Sequence, residues 1–114
     1  MTAVREINLK FDMPCVREAR IRLNRVLQQS PAMGCTALKL IHGYGSTGRG
    51  GRIRSETRRA LEEELRQGRI RAMIPGERFS IFDEETRQAF QRCPELRQDS
   101  DLERCNNGIT IVVL

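Results

Sequence analysis

The chain has 114 residues, 39% hydrophobic and 31% charged, with a formal net charge of +5. That length suits one domain with one packed core, and no apolar run approaches the roughly 18 residues of a membrane span. The basic balance points to anionic partners rather than to a membrane interior.

The charge is segregated. Residues 1–72 hold 15 Lys+Arg against 7 Asp+Glu, whereas residues 73–114 hold 5 against 8. Eighteen of the 20 basic residues are arginine, whose planar fork suits phosphate and base edges. A GC-rich coding composition can inflate arginine along a whole chain, but it does not segregate it. The start, Met1-Thr2-Ala3-Val4-Arg5-Glu6, has no signal-peptide apolar region, so a cytoplasmic location is expected. Cys15, Cys35, Cys93 and Cys105 form no Cys-x-x-Cys pair and the chain has a single histidine, so no structural zinc site is expected. In a reducing compartment they are free thiols, with a Cys93–Cys105 bridge as the alternative.

In chain order, Val4, Ile7, Leu9 and Phe11 alternate with Arg5, Asn8 and Lys10, a strand with a slip near Glu6. Pro14 fits the first turn of a helix. Val16, Ala19, Leu23, Val26 and Leu27 recur at helical spacing, and Ser30-Pro31 ends that helix near Gln29. Residues 37–42 form a second strand and a glycine loop follows. Ile53, Thr57, Ala60, Leu61 and Leu65 mark a second amphipathic helix, closed by Gly68. Residues 70–74 form a third strand, stopped by Pro75-Gly76, and residues 109–114 a fourth.

Residues 75–106 read as a helical insertion before the last strand. Ser80-Ile81-Phe82-Asp83 resembles a capping box, and Phe82, Ala89, Phe90 and Cys93 repeat at helical spacing over 83–93. Ser100-Asp101-Leu102-Glu103 suggests a further turn, and Phe79, Phe82 and Phe90 mark a packed appendage. The element order predicts an α/β fold over 1–114. It is a two-layer β-α-β-α-β-β sandwich, a four-stranded mixed sheet with right-handed crossovers and two main helices.

The chemistry concentrates in residues 39–54. Gly43, Gly45, Gly48, Gly50 and Gly51 permit close approach of a ligand to the backbone. Their N–H groups, those of Ser46 and Thr47, and a helix N-terminus form an anion cradle. Arg49, Arg52 and Arg54 add full charges and have no acidic neighbour in sequence before Glu56. Tyr44 either stacks on a base or covers apolar surface. On the second helix, Arg58–Glu62 and Arg59–Glu63 stand at i,i+4 and are expected to neutralise each other.

Two residues are candidates for catalysis. His42 ends the second strand and Asp12 follows the first. On neighbouring strands they would converge, with His42 as general acid or base and Asp12 holding Mg²⁺. The structural alternatives are a histidine that only bonds its loop and an aspartate that caps the first helix. Gly43-x-Gly45-x-x-Gly48 also matches a dinucleotide fingerprint. It follows the second strand, however, and no acidic residue ends a strand about 20 positions later. A Walker loop is excluded, since no Gly-Lys-Ser/Thr occurs. A protein-docking or self-associating surface over 79–105 is a reading from a different class.

Ile41-His42-Gly43-Tyr44-Gly45-Ser46-Thr47-Gly48, with Gly51-Arg52-Ile53-Arg54, resembles the central motif of the Smr (small MutS-related) domain. That motif is a His-Gly-x-Gly loop followed by a glycine and a Leu/Ile-Arg pair opening a helix. Val16-Arg17-Glu18-Ala19 resembles the Val-x-Glu-Ala of its first helix, and residues 107–114 resemble its closing strand. The resemblance covers residues 5–74 and 107–114. It implies a fold similar to the C-terminal domain of translation initiation factor three, and binding of DNA or RNA. Family nucleases carry Leu-Asp-Leu-His-Gly after the first strand; here Leu9-Lys10-Phe11-Asp12-Met13 stands there. Lys10 takes the place of the acidic residue and Asp12 that of the histidine. The expected function is therefore phosphate-backbone binding through residues 43–54 with weak or lost endonuclease activity, an active nuclease being the alternative. No cofactor is required, and Mg²⁺ enters only if cleavage occurs.

Overall fold

Four short strands build the sheet: β1 (Val4–Asn8), β2 (Ala37–Ile41), β3 (Ala72–Pro75) and β4 (Ile109–Val113). The structure is a computed structural model describing residues 3–44 and 49–114, with residues 49 and 50 described through their backbone. The strand order is β1-β2-β4-β3. β1 and β2 are parallel, and β4 runs antiparallel to both of its neighbours. The expected mixed four-stranded sheet is present, with the last strand threaded between β2 and β3.

Helices α1 (Val16–Gln29) and α2 (Arg49–Arg66) cover one face. Leu38, Leu40 and Val112 pack there with Ala19, Leu23, Val26, Ile53, Ala60 and Leu61. The insertion covers the other face. Its helix α3 (Glu84–Arg92) and a 3₁₀ turn (Pro94–Gln98) bring Phe79, Ala89, Phe90, Cys93 and Leu96 against Ala37, Ile74, Ile111 and Val113. β4 is therefore buried at every residue, which is why it reads as a β-branched run, apolar but for Thr110, rather than an alternation.

Covering both faces also removes the supposed slip in β1. Val4 pairs with Ala37 and packs on the insertion side, whereas Ile7 pairs with Leu40 and packs on the side of α1 and α2. The strand stops at Asn8, so Phe11 leaves the sheet and is 67% exposed.

Local chemistry shifts other boundaries. α1 begins at Val16 with Cys15 as its N-cap, so Pro14 lies before the helix. Asp12 is not the cap; it sits in a turn at φ 63°, next to Met13 at φ 47°. The end of α2 is as expected: the Gly68 and Arg69 N–H groups donate to the Leu65 and Glu64 carbonyls, a Schellman arrangement. β3 starts two residues and ends one residue later than the 70–74 reading. α3 is capped by Asp83, which accepts the Thr86 N–H at 3.0 Å. Ser80 instead donates to Glu103. Phe82 is 85% exposed and lies outside the core, because its turn points it outward. All four cysteines are free. Among the described residues no helix is long and apolar enough to cross a membrane.

Lys39 sits at the centre of β2 on the insertion side, its side chain only 6% exposed. It bonds Asp101 at 2.6 Å and Asp99 at 3.0 Å. Burial alone would lower its pKa, but the bonds and charges of Asp101 and Asp99 outweigh burial and raise it. The pair therefore fastens the insertion to the sheet. Gly76 does the same sterically: a Cβ there would lie 1.9 Å from the Asn106 carbonyl oxygen.

Removing one partner of a buried ion pair leaves the other uncompensated. Lys39→Met should cost about 3 kcal/mol, measured by urea denaturation. The triple variant with Asp99→Asn and Asp101→Asn should recover at least half of that. A neutral Lys39→Met would contradict the fastening role.

Candidate functional site

The carboxyl ends of β1 and β2 and the start of β4 meet at one edge of the sheet. Asn8 pairs with Ile41 and Ile41 with Ile109. His42 follows directly and is fully buried. The Gly108 carbonyl accepts the backbone N–H of both His42 and Gly43, each at 3.0 Å. Gly43 adopts φ 76°, the left-handed turn that starts the loop and that glycine takes without strain.

The His42 ring is sealed on both sides. Nδ1 lies 2.8 Å from the Gly43 carbonyl and Nε2 lies 2.8 Å from the Thr110 hydroxyl. A carbonyl only accepts, so Nδ1 carries the hydrogen. The Arg58 Nε–H donates to Thr110 Oγ1 at 3.2 Å, which leaves the threonine hydroxyl to donate to Nε2. This ring is neutral. Burial is the largest cause, and the charges of Arg58 and Arg54 reinforce it. The Gly43 bond and Glu77 oppose it, and the pKa falls to about 4.

Arg58 continues the chain. Its guanidinium grips Glu77 in two bonds of 2.8 and 2.7 Å and reaches the Asn107 and Ile109 carbonyls. Burial works to raise the Glu77 pKa, but the bonds and charge of Arg58, helped by its own backbone N–H and the charge of Arg54, hold it below its ordinary value. On the insertion side, Asn106 accepts the Gly108 N–H at 2.9 Å and donates to Asp101. Hydrogen bonds thus run from Lys39 through Asp101 and Asn106 to the backbone that carries the glycine loop.

The charge pattern on α2 differs from the i,i+4 expectation. Arg58 pairs with Glu77 rather than Glu62, and Arg59 pairs with Glu56 rather than Glu63. Arg58 lies on the side of α2 that meets β4, and Glu56 is near enough to take both Arg59 and Arg20. Arg66 and Arg69 hold Glu63 and Glu64. Arg52 and Arg54 make no ion pair or side-chain hydrogen bond among the described residues. They stand at the start of a helix with no acidic residue in its first turn. Arg52, Gly51, Ser55, Glu56 and Arg59 line a shallow groove whose far wall is Val16. Pro14 and Cys15 extend it beside Arg52. The starts of α1 and α2 therefore share one groove.

The expected site residues divide accordingly. Gly43, Tyr44, Gly51, Arg52 and Arg54 lie at this edge of the sheet, with Tyr44 exposed. Gly45, Ser46, Thr47 and Gly48 lie outside the described residues, and Arg49 and Gly50 are placed by backbone only. His42 and Asp12 differ in setting: His42 is wholly interior, while Asp12 lies four residues past the last paired residue of β1 and is exposed. Among the described residues no group of three His, Cys, Asp or Glu could hold a metal ion, and a lone exposed carboxylate does not make a divalent-cation site. Sequence reasoning missed Thr110, Glu77 and Asn106. The one usable signal was Thr110, a single hydroxyl inside an apolar strand.

The neutral ring has a measurable consequence. Between pH 6.5 and about 4 the unfolded chain binds a proton that the native chain refuses. Stability therefore falls as pH falls through that window, by up to about 3 kcal/mol. His42 is the only histidine, so its ring signals can be followed by NMR without ambiguity. They should titrate near pH 4 as the Nδ1–H tautomer. A midpoint near 6.5 would contradict the sealed arrangement.

The model of the Smr domain family matches residues 14–78. That span runs from the residue before the α1 cap through the glycine loop and α2 to the turn after β3, and it includes His42, Arg58 and Glu77. No curated protein and no solved structure matched the chain.

Proposed function

The chain belongs to the Smr domain family, and on that footing we propose that it binds nucleic acid by its phosphate backbone, through the glycine loop and the first turns of α2, with little or no cleavage. The observation that carries this reading is the pair of unpaired arginines at the positive end of α2. Every helix concentrates partial positive charge at its N-terminus, and cations there cost a few tenths of a kcal/mol each. Here Arg52 and Arg54 lie in the first turns with no ion pair among the described residues, while Arg58, Arg59 and Arg66 are all matched. A phosphate would relieve the repulsion and accept from both side chains and backbone.

Weak cleavage follows from the same edge of the sheet. Phosphodiester hydrolysis needs an activated water and a proton for the leaving oxygen. His42 has both nitrogens engaged and stays neutral down to about pH 4. Asp12 offers one exposed carboxylate, and Lys10 stands where family nucleases have an acid.

Self-association through 79–105 is a second reading, favoured by one feature. Ile81 and Phe82 are exposed on a turn that Glu103 holds by accepting from Ser80 and Ile81, both at 2.6 Å. Concentration-dependent sedimentation abolished by Phe82→Ser would support it; a monomer at every concentration would remove it.

Binding should weaken linearly in log–log form as salt rises. Arg52→Ala should reduce that slope by about one unit, read by fluorescence anisotropy on a labelled oligonucleotide. Salt-independent binding would contradict phosphate tracking. In the same preparations plasmid and RNA should stay intact with Mg²⁺; strong cleavage lost in both Asp12→Asn and His42→Ala would overturn the non-cleaving part.

A further inference from the structure

Two aromatic side chains at this edge of the sheet are largely open to solvent. Phe11 is 67% exposed and Tyr44 is 59% exposed. They follow β1 and β2, which are parallel neighbours, and the Leu9 N–H still bonds the Ile41 carbonyl at 2.8 Å beyond the last paired residues. The two loops therefore leave the sheet side by side.

The loop after β1 is anchored rather than loose. Leu9 and Pro14 are buried at its two ends. Arg22 donates to the Phe11 carbonyl at 2.6 Å and to the Leu9 carbonyl at 3.5 Å. Asp12 and Met13 hold left-handed backbone at φ 63° and 47°, a conformation that costs non-glycine residues energy and gathers at ligand sites. The alternation of β1 would carry Phe11 inward after Ile7 and Leu9. The anchored turn presents it to solvent instead. On the other side, Tyr44 borders Gly108: a Cβ added there would lie 3.1 Å from Tyr44 Cδ1. The ring is thus held against the start of β4 with most of its surface open.

We propose that Phe11 and Tyr44 form a stacking platform for unpaired bases, which makes the ligand of this site a single-stranded polynucleotide. The proposal rests on the phosphate-binding reading above and goes beyond it, because charge alone does not separate single strands from duplexes. Every base has a face that an aromatic ring can cover, and in a duplex those faces are already stacked. Arg52 and Arg54 supply the charge complementarity for the backbone on which such bases are strung.

The test uses the chain's own spectroscopy. Tyr44 is the only tyrosine and there is no tryptophan, so intrinsic fluorescence reports one ring. A 12-nucleotide oligothymidine should quench it on binding, and a 12-base-pair duplex should bind with far less quenching. Phe11→Ala should weaken oligothymidine binding about tenfold more than duplex binding, and Phe11→Trp should restore the preference. Equal losses for both ligands, or no loss for either, would overturn the stacking platform while leaving phosphate tracking in place. Failure of the wild type to bind either ligand at low salt would overturn both. Circular dichroism of Phe11→Ala separates these results from unfolding, which the exposed position does not predict.

Discussion

The start of β4 is docked against the end of β2, and most of what this protein presents to solvent depends on that junction. The Gly108 carbonyl takes two N–H groups from the first residues beyond β2. Two residues later Thr110 takes Arg58 and supplies His42. A buried hydroxyl, a neutral imidazole and a guanidinium would each be costly if unmatched in the interior. Here they satisfy one another in a single order. That order fixes where the glycine loop leaves the sheet and where α2 lies against β4.

The same junction sorts the arginines of α2 by role. Arg58 is withdrawn into the sheet edge, where Glu77 neutralises it. Arg59 and Arg66 meet carboxylates on their own helix. Arg52 and Arg54 make no ion pair among the described residues; Arg52 lies beside the opening of α1, whereas the charge of Arg54 reaches Glu77. Counting arginines therefore overstates the field of this helix, while counting unpaired ones locates it. The insertion contributes at a distance: Lys39, Asp101 and Asn106 link the covered face of the sheet to Gly108.

Much of this was legible in the sequence where the pattern was local. The periodicity of Ala19, Leu23 and Val26 and of Ile53, Ala60 and Leu61 fixed both long helices, and Ser30-Pro31 and Gly68 marked their ends. The Ile-His-Gly-x-Gly loop before an arginine-bearing helix pointed to the family that the comparison bears out. What failed was non-local. Alternation in β1 could not be assigned while the second covered face was unknown, so Phe11 read as core. The anchoring role of Lys39 was not legible because its partners lie 60 and 62 positions away. Arg58 was matched to Glu62 one helical turn on rather than to Glu77 across the fold. His42 read as a candidate general acid or base because nothing in the sequence placed it beside Thr110 and Arg58.

In the reading proposed for this site, the loop after β2 and the start of α2 receive the phosphate backbone. Titrating a short oligonucleotide into ¹⁵N-labelled protein, and following every amide, tests it most directly. The largest shifts should fall on residues 43–54, with smaller ones at Asn107 and Gly108. Shifts confined to residues 79–105, with the loop and α2 silent, would contradict it.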